Sequence, residues 1–204
     1  PAQRGRTDEK AGTNNMNRIG KHPLIGALRR NPIRVLGVNS GTSVDGLDGA
    51  LVELTMTRSQ RSYRVVRTHS RAFPATMRQM IMRIGSSETV SKEEVVRLQF
   101  DLGRFIGNTA KRWMRGAGRV DLIASHGQTI AHYPFGKSKA TWQIGTLAEI
   151  AQITRRVTVG DYRPSDVAGG GMGAPLSGYY HHLRFGAGVP VLNIGGLANI
   201  SVSR

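Results

Sequence analysis

Apolar residues alternate or cluster in short runs over the first third of this chain, then recur at helical spacing. Residues 33–38, 49–56 and 62–72 are rich in apolar and β-branched side chains and are separated by short turns, which predicts three strands. The second and third are joined through residues 57–61, short enough for an antiparallel hairpin. Pro74 stands where a helix can start, and Met77, Met80, Ile81 and Ile84 repeat at three- and four-residue spacing until Gly85, the expected end. Ser91 with Glu94 three residues on is a capping-box signature. It launches a long amphipathic helix whose stripe holds Val95, Leu98, Leu102, Phe105, Ile106, Trp113 and Met114, closed by Gly116 and Gly118. Short strands are then predicted at 120–124, 141–144 and 157–159, a brief helix over 147–153, and a strand at 189–194 that resumes at 197–202. Three antiparallel strands and a helix, followed by alternating strands and helices, describe a mixed α/β sheet.

Composition narrows this picture without changing it. The chain has 204 residues, 39% of them hydrophobic, and 26 glycines, enough for one good-sized core with many tight turns. It has no cysteine, which excludes a disulfide framework, a thiolate metal site and a cysteine nucleophile. No apolar run reaches membrane-spanning length, and the N-terminus lacks the apolar core of a signal peptide, so a cytoplasmic location is expected. The formal net charge is +16, and residues 1–34 carry eight basic side chains against only Asp8 and Glu9. Residues 1–30 therefore read as a solvated basic tail without fixed structure. The remaining positive charge is scattered and lacks interleaved aromatics, which disfavours nucleic acid as the main partner. The chain opens on Pro1 without a methionine and stops at Arg204 directly after a strand-like run, so a fragment is expected.

Candidate chemistry gathers just past the strand ends, where open α/β sheets bind ligands. The turn Ser40-Gly41-Thr42-Ser43-Val44-Asp45-Gly46-Leu47-Asp48 offers small residues, whose backbone N–H groups suit a phosphate, and two carboxylates suited to magnesium. It lacks the Gly-Lys-Ser/Thr of a P-loop and is followed by a strand, unlike a dinucleotide fingerprint; an ordinary glycine-rich hairpin is its plain alternative. His126, in the run Ser125-His126-Gly127-Gln128-Thr129, could act as an acid–base, hydrogen-bond a sugar hydroxyl or be structural, and Gln128 could meet a ligand or cap the next element. Asp161, Arg163 and Asp166 precede a glycine cluster that includes Gly173, where Arg163 could fork onto a carboxylate or phosphate or simply brace the loop. Pro175 reads as a rigid helix start. Asn193-Ile194-Gly195-Gly196-Leu197-Ala198-Asn199 repeats the strand–glycine turn–strand design of the first turn. Lys137, Lys139, Arg155 and Arg156 read as solvated surface, and Trp142 as core.

These five motifs, in this order over residues 33–204, resemble the anhydro-N-acetylmuramic acid kinase family. The resemblance implies a ribonuclease-H-like, actin-like ATPase fold: a mixed sheet with flanking helices, the first domain over 31–187 and the start of a second over 188–204. It implies a cytoplasmic enzyme of cell-wall recycling that uses ATP and magnesium to open the 1,6-anhydro ring of an amino sugar and phosphorylate O6, and it is compatible with a homodimer at full length. Gly41, Thr42, Ser43, Val44, Asp45, Gly46, Leu47 and Asp48 match the ATP-binding segment, with Asn193, Gly195 and Gly196 as a second phosphate motif. His126, Gln128, Arg163, Asp166 and Gly173 fall to the sugar. The family's catalytic Asp belongs to an Asp-Thr/Cys-Gly-Pro-Gly-Asn motif absent from these 204 residues, so no catalytic residue is assigned and the chain is expected to be inactive alone. Pro164 and Ser165 interrupt the family's run of basic residues, and Met172 and Ser177 also depart from its pattern. A kinase for a different amino or anhydro sugar, or a non-catalytic protein of this fold binding nucleic acid through its basic tail, therefore remain as alternatives.

Overall fold

The computed structural model describes residues 22–58, 61–87, 89–194 and 198–203. Residues 1–21, most of the expected tail, lie outside the described residues. The elements in chain order are α1 (Pro23–Leu28), β1 (Ile33–Asn39), β2 (Gly46–Met56), β3 (Arg61–Ala72), α2 (Ala75–Ser86), α3 (Lys92–Trp113), β4 (Leu122–Ser125) and β5 (Gln128–Tyr133). They continue with β6 (Ala140–Ile144), α4 (Leu147–Thr154), β7 (Val157–Val159), α5 (Tyr162–Ala168), α6 (Gly178–Phe185), β8 (Pro190–Ile194) and β9 (Ala198–Val202).

Five strands form one mixed sheet in the order β3-β2-β1-β4-β7. The first three pair antiparallel, as the short turns between them require, and β1–β4 and β4–β7 pair parallel across helical crossovers. This is the mixed α/β sheet with flanking helices expected of an actin-like ATPase domain. β5–β6 and β8–β9 are separate two-stranded hairpins.

Side-chain alternation sorts the two faces of the sheet. Leu36 and Val38 of β1 and Leu47 and Leu51 of β2 meet Leu98, Leu102, Ile106 and Trp113 of α3, with Ile81 and Ile84 of α2 and Ile150 of α4. The capping box on α3 is present, with Ser91 accepting from the N–H of Glu94 and Glu94 from that of Ser91. Ile33 and Val35, on the opposite face, pack with Ala27 and Leu24 of α1 and with Leu122 and Val157.

The structure departs from the sequence reading at several elements. Residues 22–30, expected to belong to the tail, include α1, because Ala27 finds an apolar seat on the sheet. Gly85 lies inside α2 instead of ending it. β2 starts three residues early, at Gly46, because the ladder with β3 continues to its last residue, with Gly46 paired to Ala72. Residues 128–133 form β5 where a loop was expected, and α5 forms inside the 160–176 loop. Pro175 does not begin a helix; α6 starts at Gly178. Trp142, expected in the core, is 43% exposed. Among the described residues no helix is long and apolar enough to cross a membrane.

Candidate functional site

The β1–β2 ladder runs up to the pair Asn39–Asp48, so the turn proper comprises residues 40–45. It is braced from three sides. Ser40 is buried, and its Oγ donates to Gln128 Oε1 at 2.5 Å. Gln128, 1% exposed, returns its Nε2 to the carbonyls of Gly41 at 3.3 Å and Thr129 at 3.1 Å. Arg78, from the first turn of α2, donates Nε to the Val44 carbonyl at 3.0 Å, and the Phe73 N–H donates to the Asp45 carbonyl at 3.0 Å. These contacts hold Val44 at φ 55°, a conformation that a β-branched residue adopts only under constraint, at a cost of about 1–3 kcal/mol.

The result is a rigid turn with a polar outer surface. Gly41, Thr42, Ser43, Asp45 and Asp48 are exposed, whereas the side chains of Val44 and Leu47 point into the core. Those two serve the turn as anchors. Asp45 Oδ1 lies 3.9 Å from Arg78 Nη2. Asp45 and Asp48 are two accessible carboxylates, oxygen ligands of the kind magnesium takes; the described residues hold no group of three or more acidic or His ligands. That ion keeps several waters and takes phosphate oxygens, so one or two carboxylates suffice.

Gln128 therefore has a different place from a ligand contact: its amide is spent on the turn. Replacing it by leucine keeps the volume but strands the Ser40 hydroxyl and the Gly41 carbonyl. A loss of about 1–3 kcal/mol in urea unfolding is expected, together with weaker ATP binding by titration calorimetry. Unchanged values of both would show that the brace is dispensable.

The remaining residues assigned to the sugar form one connected chain. The His126 N–H donates to the Val38 carbonyl at 3.0 Å, which extends the β4–β1 pairing and carries His126 to the same sheet edge as the turn. Gly127 then turns at φ 69°, where a Cβ would stand 2.5 Å from the Ile144 carbonyl oxygen. Arg163 Nε donates to His126 Nε2 at 2.7 Å, and its Nη1 donates to the Gly173 carbonyl at 2.6 Å. The Gly173 N–H donates in turn to Asp166 Oδ2 at 2.7 Å. His126, Arg163, Gly173 and Asp166 thus lock α5 and the glycine loop onto the end of β4. Arg163 makes no ion pair among the described residues, so its charge is left for an anion.

The same geometry assigns the His126 tautomer. A guanidinium can only donate, so Nε2 must carry the lone pair. The proton is on Nδ1, 3.1 Å from the Gly127 carbonyl it donates to. Burial pushes the His126 pKa below its ordinary value; the Gly127 bond opposes this and the neighbouring Arg163 charge adds to it. His132 and His69 are lowered as well, first by burial, then by Arg163 and Arg67 respectively.

A histidine whose folded pKa lies below its ordinary 6.5 resists protonation in the fold, so unfolding takes up protons. Its contribution to stability is complete above pH 6.5 and is lost as the pH falls through that value toward the folded pKa. The urea midpoint is expected to fall between pH 7.5 and 5.5, and a His126→Gln variant to show a shallower fall. Equal pH slopes for the two proteins would remove His126 from this account.

Sequence reasoning missed two supports. Arg78 holds the turn from 34 residues away, with no local signal. Lys139, read as solvated, donates Nζ to the carbonyls of Gly170 at 3.0 Å and Gly171 at 3.2 Å, tethering the β5–β6 hairpin to the glycine loop. Asn193 pairs with Asn199 across the β8–β9 hairpin, and both are exposed. Gly195 and Gly196, expected to complete a second phosphate motif, lie outside the described residues. Among the described residues no hydrogen bond joins this hairpin to the 40–45 turn.

Residues 33–204 match the family described as anhydro-N-acetylmuramic acid kinase. A protein of that name from Xanthomonas oryzae pv. oryzae is 38% identical over 175 residues, covering 82% of this chain and 46% of the relative. The one from Acidithiobacillus ferrooxidans is 40% identical over 171 residues, covering 83% and 42%. The one from Vibrio vulnificus is 36% identical over 174 residues, covering 82% and 46%. The chain spans somewhat less than half the length of these curated relatives. With the braced glycine turn and the chain from His126 to Asp166 on one sheet edge, and with this match over residues 33–204, the protein belongs to the anhydro-N-acetylmuramic acid kinase family.

Proposed function

We propose that this chain is the phosphate- and sugar-holding part of an ATP-dependent kinase that opens the 1,6-anhydro ring of anhydro-N-acetylmuramic acid and phosphorylates O6, in the cytoplasmic recycling of cell-wall sugar. The observation that carries the reading is the braced turn at 40–45 on the same sheet edge as the connected His126–Arg163–Gly173–Asp166 chain. In the reaction water adds at C1, the C1–O6 bond of the bridge breaks, and O6 takes the γ-phosphoryl group while ADP leaves. When bound, ATP supplies the phosphoryl group and magnesium neutralises its charge.

The chain's own residues supply position and charge, which is most of what phosphoryl transfer asks of a protein. Exposed backbone at Gly41–Ser43 faces the phosphates, with Asp45 and Asp48 beside it for the metal. The locked glycine loop and the free Arg163 charge shape the sugar side. His126 does not serve as the base for water, because both ring nitrogens are engaged. The base falls to the Asp motif that these residues do not contain, and 188–204 then begin a second domain that includes the Asn193 turn.

Calorimetry is expected to show ATP–magnesium and the anhydro sugar binding to the 204-residue chain, with no ADP release in a coupled assay. Phosphorylated sugar from the isolated chain would place the base within it, and failure to bind either ligand would overturn the reading.

A further inference from the structure

A cleft lies at the opposite end of the sheet from the turn at 40–45. β4 and β7 run parallel to β1 and start there, at Leu122 and Val157. Helix α1 and the segments that lead into these two strands enclose about 410 Å³. The guanidiniums of Arg30, Arg119, Arg155 and Arg156 line it, against a single carboxylate, that of Asp121. Its apolar wall includes Ala27 and Val120, both buried. A concave space lined by one sign of charge focuses its field on whatever enters, and here it draws anions.

Asp121 orders the arginines without satisfying them. Its side chain is 3% exposed and already accepts the main-chain N–H of Arg34 at 2.9 Å. Arg119 Nε donates to its Oδ2 at 3.1 Å, and Arg30 Nε stands 3.4 Å from its Oδ1. Arg119 Nη2 donates to the Pro32 carbonyl at 2.8 Å. Arg156 donates Nε to the Val120 carbonyl at 2.9 Å and Nη1 to the Arg155 carbonyl at 3.0 Å. Among the described residues nothing accepts from Arg119 Nη1, Arg156 Nη2 or either terminal nitrogen of Arg30. Arg155 adds an independent mark. It caps the C-terminus of α4 at φ 55° and ψ 38°, the left-handed conformation that favours glycine. Its side chain makes one exposed bond, from Nη1 to Gln152 Oε1 at 3.1 Å. Glycine would suit this backbone better, so what arginine adds here is a cation at the cleft.

We propose that this cleft is a second anion site, apart from the turn and the sugar side, which takes a small organic phosphate. The phosphate oxygens meet the free guanidinium nitrogens, whose forked geometry matches them, and the carbon body rests against Ala27 and Val120. Charge spread along an open face would suit a nucleic acid or a membrane; here it converges on one concavity of small-molecule size.

The test is an amide NMR titration of the 204-residue chain with two probes, glucose 6-phosphate and inorganic phosphate. Saturable shifts are expected at Arg119, Val120, Arg155 and Arg156, with the sugar phosphate binding more tightly than inorganic phosphate. Arg155→Gly should weaken that binding about tenfold while the melting temperature holds or rises, because glycine relaxes the left-handed backbone. Arg30→Gln, at a side chain 49% exposed, should weaken it similarly. Shifts confined to residues 40–45, no saturable binding, or parental affinity in both variants would overturn the site and leave the kinase reading standing. A lower melting temperature in Arg155→Gly would make that arginine a support of the fold and overturn its part, and equal affinity for the two probes would overturn the organic body of the ligand.

Discussion

Replacing Gly46 by alanine is expected to lower the unfolding free energy by about 3 kcal/mol and to abolish ATP binding. A Cβ at this position would stand 2.2 Å from the Arg71 carbonyl oxygen and 2.7 Å from the Ala72 Cα. Both are main-chain atoms of β3, so no side chain can swing aside. Gly46–Ala72 is the terminal pair of the β2–β3 ladder, next to the bond from the Phe73 N–H to the Asp45 carbonyl. Forcing the strands apart there releases Asp45 and, with it, the constrained backbone of Val44. Urea unfolding reads the first effect and ATP titration the second. Gly41→Ala is the control, since its Cβ meets only Ser43 Oγ at 3.8 Å. It should fold like the parent, and any loss of ATP affinity in it reports the close approach of phosphate alone. A Gly46→Ala protein with parental stability would mean that the strands are free to separate, and the account of the turn would fail.

Arg163→Met is expected to weaken binding of the anhydro sugar by roughly a hundredfold while ATP affinity stays within about twofold. The change removes a half-buried cation and strands two acceptors, His126 Nε2 and the Gly173 carbonyl. The glycine loop then loses its link to β4, along with a guanidinium that makes no ion pair among the described residues. Arg163→Lys should rescue little, because an ammonium lacks the fixed fork that reaches both acceptors at once. The turn at 40–45 is braced by Gln128, Arg78 and Phe73, none of which bonds to Arg163, so the nucleotide side should be spared. Equal losses for ATP and sugar would mean that Arg163 supports the whole fold, and full rescue by lysine would reduce its role to charge.

The two halves of the site were legible to different degrees. The motif at 40–48 announces small residues and carboxylates, and in the structure Thr42, Ser43, Asp45 and Asp48 are exposed. Nothing in the motif says that Val44 takes φ 55° or that Leu47 is an anchor, because both depend on what β3, α2 and β5 bring against the turn. On the sugar side, His126, Arg163, Asp166 and Gly173 each look like isolated polar residues in loops. Their continuity appears only once α5 sets Arg163 against the end of β4, across 37 residues of sequence. Gln128 resembles a ligand contact for the same reason: its partner Ser40 is 88 residues away.

Features that depend on neighbours along the chain are written in its residue order. The strand at 33–38, the capping box at Ser91 and Glu94, and the apolar stripe from Val95 to Trp113 all follow from spacing within a few turns or pleats. Their order sufficed for a mixed α/β fold, and the five motifs for a family. Tertiary structure decided whatever needs a partner far away: the start of β2 at Gly46, the existence of β5, and the folding of residues 22–30 into α1 over Leu122 and Val157. It also decided which polar groups are spent on the fold and which are left for a ligand. The physical reason is that periodicity and capping are short-range, while burial and hydrogen-bond satisfaction are settled only when the sheet order places β4 and β5 beside β1.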